Sequence, residues 1–231
     1  MATKKNKKNK RNKRKIKNKI IIVFLIFIII LSFVFYISKK HITNIYIIGN
    51  SILSDKEIII ASKLDNYPQY INTYFMHIKD NLLKNSYIKS VEIQRKSFAK
   101  IYINITEYKP ICIYNDKLVL SSKEKVANTY NIDYIPYVIN NIDSIYDKFI
   151  DKFSLIDDST LLKISHIEYS PNEVDNERFL LYMVDANYVY VTLSKIEKIN
   201  KYNSIVNELE NKKGIIYLDS GDYVEIKSWH N

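Results

Sequence analysis

Cysteine occurs once in the 231 residues, at Cys112, so no intrachain disulfide can brace any part of the chain. Stability must come from apolar cores. Glycine is nearly as scarce. With only Gly49, Gly214 and Gly221 available, a glycine-rich loop that cradles phosphate is excluded. The four histidines, His41, His77, His166 and His230, stand far apart with no partner three or four residues on. That spacing is not the spacing of a metal site, which needs three or four converging ligands. Acidic residues are absent before Asp55, and this last gap organises the charge of the whole chain.

Residues 1–54 hold 13 Lys and Arg and no acid. Removing these 13 from the 35 basic residues leaves 22, against 25 acidic ones. The net charge of +10 therefore belongs to the N-terminal segment, and the remainder is mildly acidic. A basic groove for nucleic acid on a folded region is not expected, and no nucleic-acid partner is assigned.

What is abundant lies next. From Ile20 to Ile37 no residue is charged, and 16 of the 18 are Ile, Leu, Val or Phe. At ~0.3–0.6 kcal/mol per residue, insertion into a bilayer is favoured by roughly 5–10 kcal/mol. At ~1.5 Å per residue the run spans ~27 Å, close to the hydrocarbon thickness. Eleven Lys and Arg precede the run, between Lys4 and Lys19, whereas only Lys39 and Lys40 follow it closely. The positive-inside bias predicts a cytoplasmic basic tail (1–19), a single transmembrane helix (20–38) and an extracytoplasmic remainder. The run ends in SFVFYISKK, with bulky residues where signal peptidase needs small ones, so the expectation is an uncleaved anchor. The tail is placed to meet anionic lipid headgroups.

Beyond the span, ITNIYIIG (42–49) reads as a strand and Gly49-Asn50 as a turn. Ser54 and Glu57 have the spacing of a capping box and predict a helix to about Leu64. A second helix is predicted over 73–84, with Tyr74, Ile78 and Leu82 on one face. Val91 and Ile93, then Ile101, Ile103 and Ile105, alternate as a hairpin turning near Ser97-Phe98-Ala99. Further on, strands are predicted at 111–114, 118–121, 164–169, 178–185 and 188–193. YIPYVI (134–139) is extended, and 142–163 is mostly helical. A helix is expected over 194–212, with Ile196, Ile199, Tyr202, Val206 and Leu209 as its stripe and Gly214 as its cap. GIIYLDSGDYVEIKSW closes the chain as a hairpin turning at Ser220-Gly221.

Catalytic patterns are weak. Ser-x-x-Lys occurs at Ser86–Lys89 and Ser97–Lys100, but Lys-Thr-Gly and Ser-Asp-Asn are absent and neither match opens a helix. Asp157-Asp158 are adjacent, so they point apart and read as a solvated helix edge. The 20 tyrosines fit half-buried strand and helix positions. The expected class is therefore a binding protein with no catalytic residues, cofactor, metal or small-molecule substrate. A membrane-anchored extracytoplasmic cell-wall enzyme or sensor is the alternative.

Five features in order carry a family resemblance: Gly49-Asn50 after the first strand, Glu107-x-x-Pro110 after the hairpin, Ile135-Pro136, the lysines Lys195, Lys198 and Lys201, and Leu218-Asp219-Ser220-Gly221. With the basic tail and single span, the chain resembles the FtsQ/DivIB bacterial cell-division proteins. Phe98 and Asn187 depart from it, standing where the family often has Pro and Gly. The resemblance implies an α+β chain in which a transmembrane helix precedes a β-α-α-β-β POTRA domain (42–109) and a mixed, mainly antiparallel β domain with flanking helices (110–231). It implies a non-enzymatic septum-formation scaffold in the cell membrane. Its partners would be FtsL-like and FtsB/DivIC-like small single-span proteins. They would be held by strand addition at Tyr217, Leu218, Ser220, Gly221, Tyr223 and Ile226.

Overall fold

The computed structural model describes the backbone of residues 2–210 and 212–227, with side chains from Lys17 onward. The chain divides into two compact units: Met1–Asn85 with Ser90–Thr106, and Ser86–Lys89 with Glu107–Asn231.

The first unit opens with helix α1, Ala2–Ser38. The basic segment expected as a tail is thus continuous in backbone with the apolar run. Within α1, Lys17–Ser38 is apolar and long enough to cross a membrane, and none of its most apolar stretch is buried by protein. Strand β1 (Asn44–Ile48) follows, then α2 (Asp55–Ala61), α3 (Phe75–Leu82), β2 (Ile88–Arg95) and β3 (Lys100–Glu107). The capping box forms as the spacing predicts. Ser54 Oγ accepts from the Glu57 N–H, and the Glu57 carboxylate accepts from the Ser54 N–H at 2.9 Å. The strands order β1-β3-β2, with β1 parallel to β3. Ile101, Ile103 and Ile105 turn one face of β3 inward and are buried, as are Ile58 of α2 and Ile78 and Leu82 of α3. Gly49 ends β1 at φ +91°, and a Cβ there would sit 2.2 Å from the Ile105 carbonyl oxygen, so both conformation and space require glycine.

Arg95 fastens the segment before α3. Its guanidinium lies 4.0 Å from the Tyr70 ring centre and 4.5 Å from that of Phe75, and donates to the Thr73 carbonyl at 2.9 Å. Phe98, one of the two departures, puts its ring edge-on to Tyr70 at 5.0 Å. Arg95→Met should destabilise this unit by about 3 kcal/mol, near the lower end of the sum of two cation–π contacts and a charged hydrogen bond, as read from urea unfolding.

Among the described residues the second unit is built on nine strands: β4 (Pro110–Tyr114), β5 (Lys117–Leu120), β6 (Lys125–Val126), β7 (Tyr137–Val138), β8 (Ile164–Tyr169), β9 (Arg178–Met183), β10 (Tyr188–Thr192), β11 (Gly214–Tyr217) and β12 (Tyr223–Ile226). Their spatial order is β12-β11-β10-β9-β8-β7-β4-β5-β6. Pairs β10–β11, β4–β7 and β7–β8 are parallel and the other five antiparallel, so the sheet is mixed and mainly antiparallel. The β4–β5 turn takes positive φ at both Asn115 and Asp116, as a two-residue hairpin turn requires. Helices α4 (Tyr146–Phe153) and α5 (Asp158–Leu161) lie between β7 and β8. Phe149, Phe153 and Phe179 form an aromatic cluster with ring centres 4.1–5.7 Å apart, at the centre of the core.

The segment after β10 differs from the expected α-helix. Leu193–Lys201 is 3-10 in two pieces that meet at a kink at Lys195, whose φ −122° and ψ 17° are not helical, and it passes into α6, Tyr202–Glu208. Beyond the kink, Ile196, Ile199 and Tyr202 are buried at three-residue intervals, the repeat of a 3-10 helix. Gly214 is also not the cap. Leu209 caps α6, Glu210 adopts φ +48°, and Gly214 opens β11. The β domain expected to 231 includes residues 211 and 228–231, which lie outside the described residues, as does His230.

Candidate functional site: an open sheet edge

Strand β11 lies between β10 and β12, and β12 ends the sheet; among the described residues no strand covers its outer side. Parallel pairing of β10 with β11 needs a crossover, and the helical stretch 193–208 provides it. Gly214 lets β12 approach, because a Cβ there would meet the Glu225 carbonyl oxygen at 2.2 Å. The backbone N–H of Gly214 donates to Asn187 Oδ1 at 3.0 Å. Asn187, the second departure, is buried and also donates from Nδ2 to Tyr202 Oη at 3.0 Å, while Tyr202 donates to Asp185 at 2.6 Å. Burial and that bond to Asp185 raise the Tyr202 phenol far above its ordinary value, so it stays a donor. The positive φ of this turn belongs to Ala186 instead, which frees Asn187 to anchor β11.

Register then fixes which backbone groups are open. Tyr217 pairs with Tyr223, Ile215 with Glu225 and Gly214 with Ile226, and the Lys227 N–H donates to the Lys213 carbonyl at 3.0 Å. Antiparallel ladders alternate, so Tyr223 and Glu225 direct their N–H and C=O to β11. Val224 and Ile226 direct theirs outward.

The six sequence-predicted residues fall into three groups. Tyr223 and Ile226 are exposed on β12, and Ser220 and Gly221 are exposed in the turn. Tyr217 ends the interior strand, half-buried between two rings. Leu218 goes elsewhere: it is 4% exposed, within the core, and its N–H donates to the Tyr190 carbonyl at 2.8 Å. Neither its side chain nor its amide is at the edge.

Tyr190 and Arg178, which the linear pattern does not single out, support the site. Tyr190, Tyr217 and Tyr223 stack across β10, β11 and β12 with ring centres 5.3 and 4.5 Å apart. The Arg178 guanidinium caps the row, 3.6 Å from the Tyr190 ring centre, and its Nε donates to Asp219 at 2.7 Å. Both partners are largely buried, with side chains 16% and 8% exposed. Burial pushes the Asp219 carboxyl up, but Arg178 and the Ser220 hydroxyl outweigh it and hold the group below its ordinary value. Burial, then Glu225, raises the Tyr217 phenol. Lys195 donates to the Asp219 carbonyl and Lys198 to the Asp222 carboxylate, both at 2.6 Å, so two of the three singled-out lysines brace the turn. Among the described residues no group of three or more His, Cys, Asp or Glu converges as a metal site.

A β-α-α-β-β unit behind a candidate membrane helix is, by architecture, of POTRA type. Residues 40–108 match the family model described as POTRA domain, FtsQ-type. Two curated relatives are the cell division protein DivIB of Brevibacillus brevis, 24% identical over 158 residues, and that of Listeria monocytogenes, 26% identical over 151. The matches cover 64% and 61% of this chain, and the chain spans only 60% and 55% of those relatives' lengths. A solved structure, the major extracytoplasmic domain of the trans isomer of the division protein DivIB from Geobacillus stearothermophilus, aligns with 46% of this chain and 96% of its own. Its identity is 18% and its TM-score 0.38. Residues 40–108 thus resemble an FtsQ-type POTRA domain, and the chain is similar over about three-fifths of its length to DivIB cell-division proteins.

Proposed function

We propose that the chain is a non-enzymatic cell-division scaffold that holds a partner strand at the outer edge of β12. The observation that carries this reading is the outward direction of the Val224 and Ile226 backbone groups on a strand that ends its sheet. Lys17–Ser38 crosses the cell membrane with the basic segment in the cytoplasm, touching anionic lipid, and residues 41–231 outside, at the septum. The 42–109 and 110–231 domains then divide the work, with docking on the second. The partners are FtsL-like and FtsB/DivIC-like single-span proteins, whose extracytoplasmic segments add as a strand.

Magnitudes say what the edge must supply. Val224 and Ile226 offer two donors and two acceptors, about 0.5–1.5 kcal/mol net each. Ordering a four-residue partner strand costs ~1–2 kcal/mol per residue, which offsets most or all of that gain. Side chains therefore decide affinity. The exposed Tyr223 ring, at the open end of the tyrosine row, is the principal anchor, with Ile226 beside it. Tyr223→Ala should weaken binding of the FtsB/DivIC-like external segment at least tenfold by titration calorimetry, while the hairpin loses only the cross-strand stack on Tyr217, about 0.5–1.5 kcal/mol. Wild-type affinity in that variant would remove the side-chain anchor from the account.

A further inference from the structure

Helix α1 ends at Ser38, and the next four residues are tied to the loop between α2 and α3. The Tyr70 N–H donates to the Lys40 carbonyl at 2.8 Å, the Ile42 N–H donates to the Pro68 carbonyl at 3.1 Å, and His41 bridges Gln69. The loop therefore passes within two to four residues of the end of the apolar helix, or about 7–13 Å at an extended rise. A bilayer's headgroup layer is roughly 5–8 Å deep on each side. The loop, with the first turn of α3, exposes large apolar or amphipathic side chains: Tyr67 at 56%, Ile71 at 42%, Tyr74 at 60% and Met76 at 69%.

The loop is built rather than slack. Tyr70 and Phe75 turn inward onto Arg95, which also holds the Thr73 carbonyl, while Ile71, Tyr74 and Met76 stay exposed around them. The charges nearby do not oppose an anionic surface, since Lys63, Lys79 and Lys84 outnumber Asp65 and Asp80 over residues 60–84. Tyrosine at a membrane–water boundary puts its ring among acyl chain ends and its hydroxyl in water. The proximity to the span selects the occupant: lipid lies there by construction, whereas a protein partner would have to displace it.

We propose that this loop and the first turn of α3 seat in the outer lipid interface, with Tyr67, Ile71, Tyr74 and Met76 as anchors, so that the first unit lies against the membrane. The proposal rests on the reading of Lys17–Ser38 as a membrane span. It is tested with the full chain in vesicles of phosphatidylethanolamine and phosphatidylglycerol, carrying an environment-sensitive fluorophore on one introduced cysteine: Ile71→Cys, Tyr74→Cys, Phe27→Cys or Val174→Cys. Cys112 is fully buried, so it does not compete for the label. Labels at 71 and 74 should emit further to the blue than the one at the fully exposed position 174. Lipids spin-labelled near the headgroup should quench them. The label at 27 should be quenched by lipids spin-labelled near the chain end. Deep quenching at 27 with labels at 71 and 74 behaving like 174 overturns the loop proposal and leaves the span intact. No deep quenching at 27 overturns the span reading, and the loop proposal with it.

Discussion

Val224→Pro is expected to abolish most partner-strand binding, at least a tenfold loss, while the second unit keeps its fold. The Val224 N–H points away from β11, so proline removes no bond of the native ladder and belongs among the edge positions where proline is tolerated. Tyr223, the preceding residue, is already extended, as proline demands of its neighbour. A partner strand fares differently. It loses one donor, about 1 kcal/mol, and meets the ring Cδ where its carbonyl must approach. Glu225→Pro is the contrast. Its N–H faces Ile215, so the substitution should break the hairpin itself and expose the β11 amides to exchange. A folded Val224→Pro variant that binds with wild-type affinity would show that docking does not use the β12 backbone.

Asp219→Ala should cost the second unit about 3 kcal/mol, because it leaves the Arg178 guanidinium largely buried without its counter-charge. Arg178→Met with Asp219→Ala should recover part of that loss, which a double-mutant cycle by urea unfolding would measure. The pH dependence has a defined sign. Since the Asp219 pKa is lower folded than unfolded, the unfolded chain binds more protons, and stability rises with pH. The contribution is complete above the ordinary carboxylate value near pH 4 and is lost as pH falls through the lower folded value. Hairpin melting on acidification should therefore be blunted in Asp219→Asn, which has no carboxyl to protonate. An unchanged acid transition in that variant would assign it to other groups.

Patterns of period two were legible in the chain. The alternation of Ile101, Ile103 and Ile105 placed β3, and that of Phe179, Leu181 and Met183 matches the buried face of β9. Short-range chemistry was legible too, as Ser54 and Glu57 show. After β10, Ile196, Ile199 and Tyr202 fit both a three-residue and a 3.6-residue repeat over so short a stretch, and nothing in the pattern marks the kink at Lys195. Gly214 reads from sequence as a helix cap because glycine answers two needs, positive φ and close approach, and the linear pattern does not say which; here it answers the second. The edge itself was legible only in outline. Among the described residues no strand follows the last hairpin, but whether Leu218 faces solvent or core depends on where β10 lies. Arg178 and Asp219 are 41 positions apart, and nothing local marks them as a pair.

The central claim is that β12 carries two open backbone positions that a partner strand closes. Hydrogen exchange of the backbone amides, resolved by residue, tests it directly in the full chain with and without the partner's external segment. The account predicts that Tyr223 and Glu225 are protected in the free protein, whereas Val224 and Ile226 exchange freely until partner is added and then slow sharply. Amides at Val224 and Ile226 that are already slow without partner, or still fast at saturating partner, would contradict it.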